Sequence, residues 1–236
     1  MTTPTIEAYE ELQSAFDHYN RDLFAYVLPP CLITMQREKR TYGYFSSQRF
    51  LHRKDEKYCD EIAMNPAYFA VVSQLEILQT LVHEMAHAWQ FHFGKPGRRG
   101  YHNKEWADKM EAIGLMPSST HKAGGARTGE KMGDYPLEGG LFMAATNKLL
   151  ARGFGISWLD RMPVSVKATS TSPIESGIVL GAGLGGLIHT PTNKNRSNRI
   201  KYRCPSCAAQ AWGKPSLRLL CGGQECSAAP LLAVEE

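Results

Sequence analysis

Two histidines and a glutamate define the chemistry open to this chain. They stand in Leu81-Val82-His83-Glu84-Met85-Ala86-His87-Ala88-Trp89, an H-E-x-x-H run. On a helix, His83 and His87 lie one turn apart and point the same way. Two imidazoles so placed reach a single zinc ion at about 2.0–2.1 Å. Glu84 is turned away from the ion and can hold a water and take its proton. The run therefore needs a helix, and its flanks predict one. Val71, Leu75, Leu78, Val82, Met85 and Trp89 recur at steps of three and four, the spacing of one buried face. Ser73 and Glu76 can form a capping box at the start. Gly94 ends the helix, and Pro96 prevents its resumption.

A catalytic zinc usually has three protein ligands and one open position. Residues 94–102 form a loop that leaves His102 at the mouth of the next helix. Asn103 caps that helix, Trp106, Met110 and Ile113 share one side, and Gly114 closes it. His92 is the nearest rival, but continued helix rotates it by ~500°, about 140° off the line of His87. The metzincin continuation is absent, because Gln90 and Phe93 stand where it needs Gly and His. Glu105 and Glu111 are carboxylate alternatives, and a solvated face explains Glu111 better. His102 is the expected third ligand.

Other elements must hold these residues. Pro4 starts a first helix whose apolar face is Ile6, Tyr9, Leu12, Phe16, Tyr19 and Leu23, and Leu28-Pro29-Pro30 stops it. Residues 31–36, 41–46 and 58–64 read as three short strands, with the charged stretch 49–57 between two of them. The order predicts an α+β fold, a small mixed sheet packed on the H-E-x-x-H helix. Residues 117–133 read as an extended loop, 139–153 as a further helix or two, and 154–159 as a short strand. Residues 164–198 are rich in Ser, Thr, Gly and Asn and read as linker. They contain a formal G-x-G-x-x-G at Gly181–Gly186, but no helical period follows, so it is no dinucleotide site.

Cys204-x-x-Cys207 with Cys221 and Cys226 has metal spacing and predicts a small zinc module. Such a module could hardly fold without its ion. Cys31 and Cys59 read as buried free thiols. The formal net charge is only +4. Its distribution says more. Lys95, Arg98, Arg99 and Lys104 lie beside the proposed catalytic loop. Between Thr190 and Leu220 stand Lys194, Arg196, Arg199, Lys201, Arg203, Lys214 and Arg218, with no acid. Such clusters can bind phosphates, although a solvated loop explains either alone. Tyr202 and Trp212 could stack on unpaired bases, while packing inside the module is an equal reading for Trp212. No run approaches the roughly 18–20 apolar residues that span a bilayer. The polar, acidic start is no signal peptide, so the cytoplasm is the expected location, with the nucleoid if DNA is bound.

These residues resemble the SprT/Spartan family of zinc metalloproteases. The resemblance rests on His83-Glu84-Met85-Ala86-His87 and on Gly100-Tyr101-His102-Asn103-Lys104-Glu105-Trp106. Upstream it includes Asn20-Arg21-Asp22-Leu23-Phe24, Leu28-Pro29 and Glu61-Ile62-Ala63-Met64-Asn65-Pro66. Near the end it includes Cys204-Pro205-Ser206-Cys207 and Trp212-Gly213-Lys214-Pro215, similar to the family's zinc ribbon. It covers roughly the first half of the chain and the last forty residues. The expected domains are a SprT-like protease domain over 1–163, a flexible linker over 164–199 and a four-cysteine zinc ribbon over 200–236. The resemblance implies a protease for proteins attached to DNA, with one catalytic and one structural zinc. His83, His87 and His102 carry over as ligands, and Glu84 as general base. The competing reading is a non-proteolytic adaptor that binds nucleic acid through the ribbon.

Overall fold

Pro4 occupies the first turn of helix α1 (Pro4–Phe24), where its missing N–H has no intrahelical partner to lose. The structure, a computed structural model, describes residues 3–163, 199–215 and 217–234. The chain divides into two compact units, Met1–Pro191 and Thr192–Glu236. In α1, Leu12, Phe16, Tyr19 and Leu23 are buried as predicted. Ile6 and Tyr9 are not, at 49% and 38% exposed, because the first turns run past the core. The Asn20 side chain donates to the Leu28 carbonyl and accepts from its N–H, which pins the chain's return.

Three strands follow, β1 (Leu32–Met35), β2 (Gly43–Leu51) and β3 (Tyr58–Met64). Their order is β1-β3-β2, with β1 parallel and β2 antiparallel to β3. The sheet is therefore mixed, as expected. Strand β2 runs into the charged stretch predicted to be a connection. The register shifts between Ser46 and Phe50, and the Gln48 N–H donates to Asp60 Oδ1 at 2.7 Å. Such a bulge breaks the alternation by which strands are recognised.

Helix α2 (Gln74–Phe93) carries the motif. Its capping box is formed in both directions, Ser73 Oγ accepting from Glu76 and Glu76 accepting from the Ser73 N–H. Leu78, Val82 and Met85 face the core together with Ile77, Leu81 and Ala88. Val71 precedes the helix, and Trp89 is half-buried. Helix α3 (Lys104–Ala112) starts on the predicted Asn103 cap. Gly114 then turns at φ +90, and a Cβ there would lie 2.7 Å from the Leu141 nitrogen.

Two expectations are corrected here. The stretch read as a loop is bounded by strands β4 (Leu115–Ser118) and β5 (Gly133–Pro136), which pair antiparallel. Pro117, Gly133 and Pro136 read as breakers, yet a four-residue ladder tolerates them at its edges. Residues 154–159 form no strand. They are a strap held by side chains: Trp158 Nε1 donates to Glu7 at 2.8 Å, Ser157 donates to Glu11, and Gln74 donates to the Phe154 carbonyl. The expected helix is α4 (Leu141–Leu150), docked on α1 through Tyr19, which stacks on Phe142 and bonds Thr146.

The second unit holds β6 (Ile200–Arg203), β7 (Gln210–Gly213) and β8 (Leu232–Val234), in the order β7-β6-β8. The expected linker, apart from Arg199, and its glycine run lie outside the described residues. Among the described residues, no helix is long and apolar enough to cross a membrane. Cys31 and Cys59 are unpaired and half-buried rather than fully buried.

Gly114→Ala should destabilise the first unit by about 1–3 kcal/mol, since the left-handed backbone and the close Leu141 nitrogen act together. Urea unfolding of the variant against wild type measures this.

Candidate active site

Helix α2 places His83 and His87 with ring centroids 5.1 Å apart. The loop before α3 brings His102 to 5.3 Å from His83 and 4.8 Å from His87. One donor nitrogen from each ring lies within 4.8 Å of the other two. Small ring rotations bring such donors onto the arms of one zinc ion. Trp106 closes the site from inside. Its ring is fully buried, stacks on His87 at 5.2 Å and 18°, and contacts His83 and His102 at 4.8 and 4.4 Å.

The outer nitrogens of two rings are engaged. His83 Nδ1 is 2.8 Å from Asp134 Oδ2, and His102 Nδ1 is 3.1 Å from the Gly129 carbonyl. The backbones of His102 and Gly129 also exchange two hydrogen bonds, at 2.8 and 3.1 Å. An Nδ1–H donated to an oxygen leaves Nε2 with its lone pair, the form that ligates a metal. This donor set fits zinc.

Electrostatics agrees for two of the three rings. Burial pushes the His102 pKa down to about 4, helped by the charge of His83. Burial and the other two imidazoles hold His87 well below its ordinary value. At His83 burial also opposes charge, but the Asp134 hydrogen bond and nearby Glu84 outweigh it, and the net shift is upward. Burial raises the Glu84 pKa against the pull of His83 and of the Phe45 N–H.

Glu84 is 7% exposed and lines the same cleft as the three imidazoles. The cleft has a volume of about 960 Å³. One wall is the start of β2. A Cβ on Gly43 would lie 2.8 Å from the Ala63 carbonyl of β3 and 3.0 Å from Thr80 Cγ2 of α2, so glycine lets the strand lie close to both.

The rival ligands are elsewhere. His92 Nε2 pairs with Asp60 at 2.6 Å. Glu105 accepts from Lys95 N–H and Gln90, and Glu111 pairs with Arg127. Sequence reasoning missed Asp134 and Gly129. Both sit in a stretch without hydrophobic period, and no local signal marks them.

Arg98 and Arg99 line the cleft; Arg98 is paired with Glu130 at 2.6 Å and lies over Tyr101. In the second unit Cys204, Cys207, Cys221 and Cys226 converge. Two of their sulfur separations are 3.9 and 3.5 Å, close to the roughly 3.8 Å edge of a tetrahedron with zinc–sulfur arms of about 2.3 Å. The Cys207 and Ser206 N–H groups pull the Cys204 thiol down to about 6. The expectation that Tyr202 stacks on bases is corrected. Tyr202 is 4% exposed and its hydroxyl donates to the Lys214 carbonyl, so its ring fills the module's interior. Trp212 is 61% exposed with Lys201 over its ring. Arg199 and Arg203 are exposed.

The sequence model of the SprT-like family matches residues 12–123. That span holds all three histidines and Glu84. The chain belongs to the SprT-like family. This is generally a family of zinc metallopeptidases. A relative from Salmonella typhimurium, described as an uncharacterized protein in the mucB 3' region, is 59% identical over 59 residues. Those residues are 25% of this chain and 80% of the relative. No solved structure matches the chain significantly.

Trp106→Ala should cost about 3–5 kcal/mol, because a large buried ring leaves a cavity beneath three imidazoles. Denaturant unfolding of the metal-free protein measures it, and Trp106→Phe should lose less.

Proposed function

We propose that the chain is a zinc-dependent endopeptidase acting on proteins bound or crosslinked to DNA. The carrying observation is the convergence of His83, His87 and His102 beside the buried carboxylate of Glu84 in an open cleft. In this reading the three imidazoles hold one zinc, and the four cysteines hold a second, structural one in a ribbon. The catalytic ion, when bound, supplies a Lewis acid for a carbonyl and lowers the pKa of water.

Glu84 then does the proton work. It takes a proton from water as the oxygen attacks the peptide carbonyl carbon. It returns that proton to the amide nitrogen as the C–N bond breaks. Its place supports this role, since the carboxylate lines the cleft beside the three imidazoles. An extended peptide fits along the outer edge of β2, which among the described residues pairs only with β3 and whose Gly43, Tyr44 and Phe45 line the cleft.

Three features support a nucleic-acid role beside the family resemblance. Arg98 and Arg99 stand on the cleft rim. Lys201 and Arg203 lie on the module's first strand, and Arg199 immediately precedes it. Trp212 keeps most of its ring exposed, which suits stacking on unpaired bases. A structural site alone has no use for Glu84, which weighs against a purely adaptor role.

Glu84→Gln tests the reading. The variant should keep its zinc while cleavage of a DNA-crosslinked protein falls by about 10²-fold or more. Undiminished cleavage refutes the assigned role. The wild-type chain should hold two zinc ions. A mild chelator should remove one without unfolding the protein, as mass spectrometry and circular dichroism would show.

A further inference from the structure

Asp134 lies beyond residues 12–123, the span of the family match. It sits on β5, opposite Pro117 of β4. Its side chain is 5% exposed, and Oδ2 lies 2.8 Å from His83 Nδ1. Its backbone carbonyl accepts a 2.8 Å hydrogen bond from Gln79 Nε2, one turn before His83 on α2. The residue is thus tied to the metal-site helix twice, through backbone and through side chain. The other carboxylate oxygen, Oδ1, is buried and has no hydrogen-bond partner among the described residues. Leaving such an oxygen unpaired costs about 1–3 kcal/mol. Simple packing gives no reason for a carboxylate there, whereas an imidazole that must be oriented does.

We infer that Asp134 is a positioning residue that sets the affinity of the three-histidine site for its metal. By accepting the Nδ1–H of His83 it fixes the tautomer, keeps the Nε2 lone pair on the metal side and locks the ring plane. Its negative charge makes that nitrogen a stronger donor. The Gly129 carbonyl does the same for His102 as a neutral partner, while His87 is held by stacking on Trp106. The β4–β5 hairpin, with the loop it encloses, therefore grips two of the three ligands from behind. The inference rests on the reading that His83 ligates zinc.

The test uses the full chain as wild type, Asp134→Asn, Asp134→Ala and His83→Ala. Affinity for the chelator-labile zinc is measured by competition with a chromogenic chelator. The unfolding midpoint of the metal-free protein is measured alongside. Asp134→Ala should weaken zinc binding by about 10–100-fold, and Asp134→Asn by about tenfold, since the amide oxygen still accepts Nδ1–H without charge. The metal-free midpoint of Asp134→Asn should stay near wild type, and zinc at the cysteines should be unaffected. Unchanged affinity in Asp134→Asn overturns the inference, even if Asp134→Ala fails to fold. An equal loss of zinc at the cysteine site also overturns it. If His83→Ala binds labile zinc as wild type does, the metal reading itself fails and this inference falls with it.

Discussion

Imidazoles gather around one point only if each ring is held from behind, because a histidine side chain on its own samples several rotamers. In this molecule the holding groups come from separate parts of the chain. Helix α2 supplies the one-turn spacing of His83 and His87. Helix α3 supplies Trp106, whose ring touches all three imidazoles. The hairpin beyond supplies the oxygens of Gly129 and Asp134. The apolar core serves this arrangement by fixing the two helices against each other. Trp106 and Met110 of the second, with its C-cap Ile113, share one continuous cluster with Leu81, Val82 and Met85 of the first.

Burial at the site has two consequences. It disfavours the charged form of His87 and His102, which keeps their nitrogens free to ligate. It also disfavours the ionised form of Glu84. A neutral imidazole suits metal ligation, and a bound cation would pull the Glu84 carboxyl back toward its ionised form. The four cysteines are a different kind of site. There four thiols cluster in a small module whose interior otherwise has little more than Tyr202 and Leu231 to bury.

The H-E-x-x-H helix was legible because its signals are local. A capping box, an apolar stripe and a terminating glycine lie within about six turns of chain, and each has a fixed spacing. His102 was legible for a related reason, as a histidine immediately before a helix cap. The hairpin that grips the site was not. Its strands are four residues long, contain two prolines and show no alternation. Gly129 acts through its backbone carbonyl, which no residue type announces. Asp134 looks like half of an ordinary Gly-Asp turn until the fold sets it against His83. The strap over α1 was misread because side-chain hydrogen bonds can hold an extended segment without a ladder.

The kink in β2 acts as a ruler. Regular pairing positions along that strand run only from Gly43 to Ser46 before the geometry swings away at Gln48, whose φ is 50. A visiting chain can therefore add itself to the sheet over only a few residues before it must peel off. So short a free edge has room for a brief extended segment rather than a long strand. It also denies a second copy of this protein the long flat margin on which fibrils would otherwise begin.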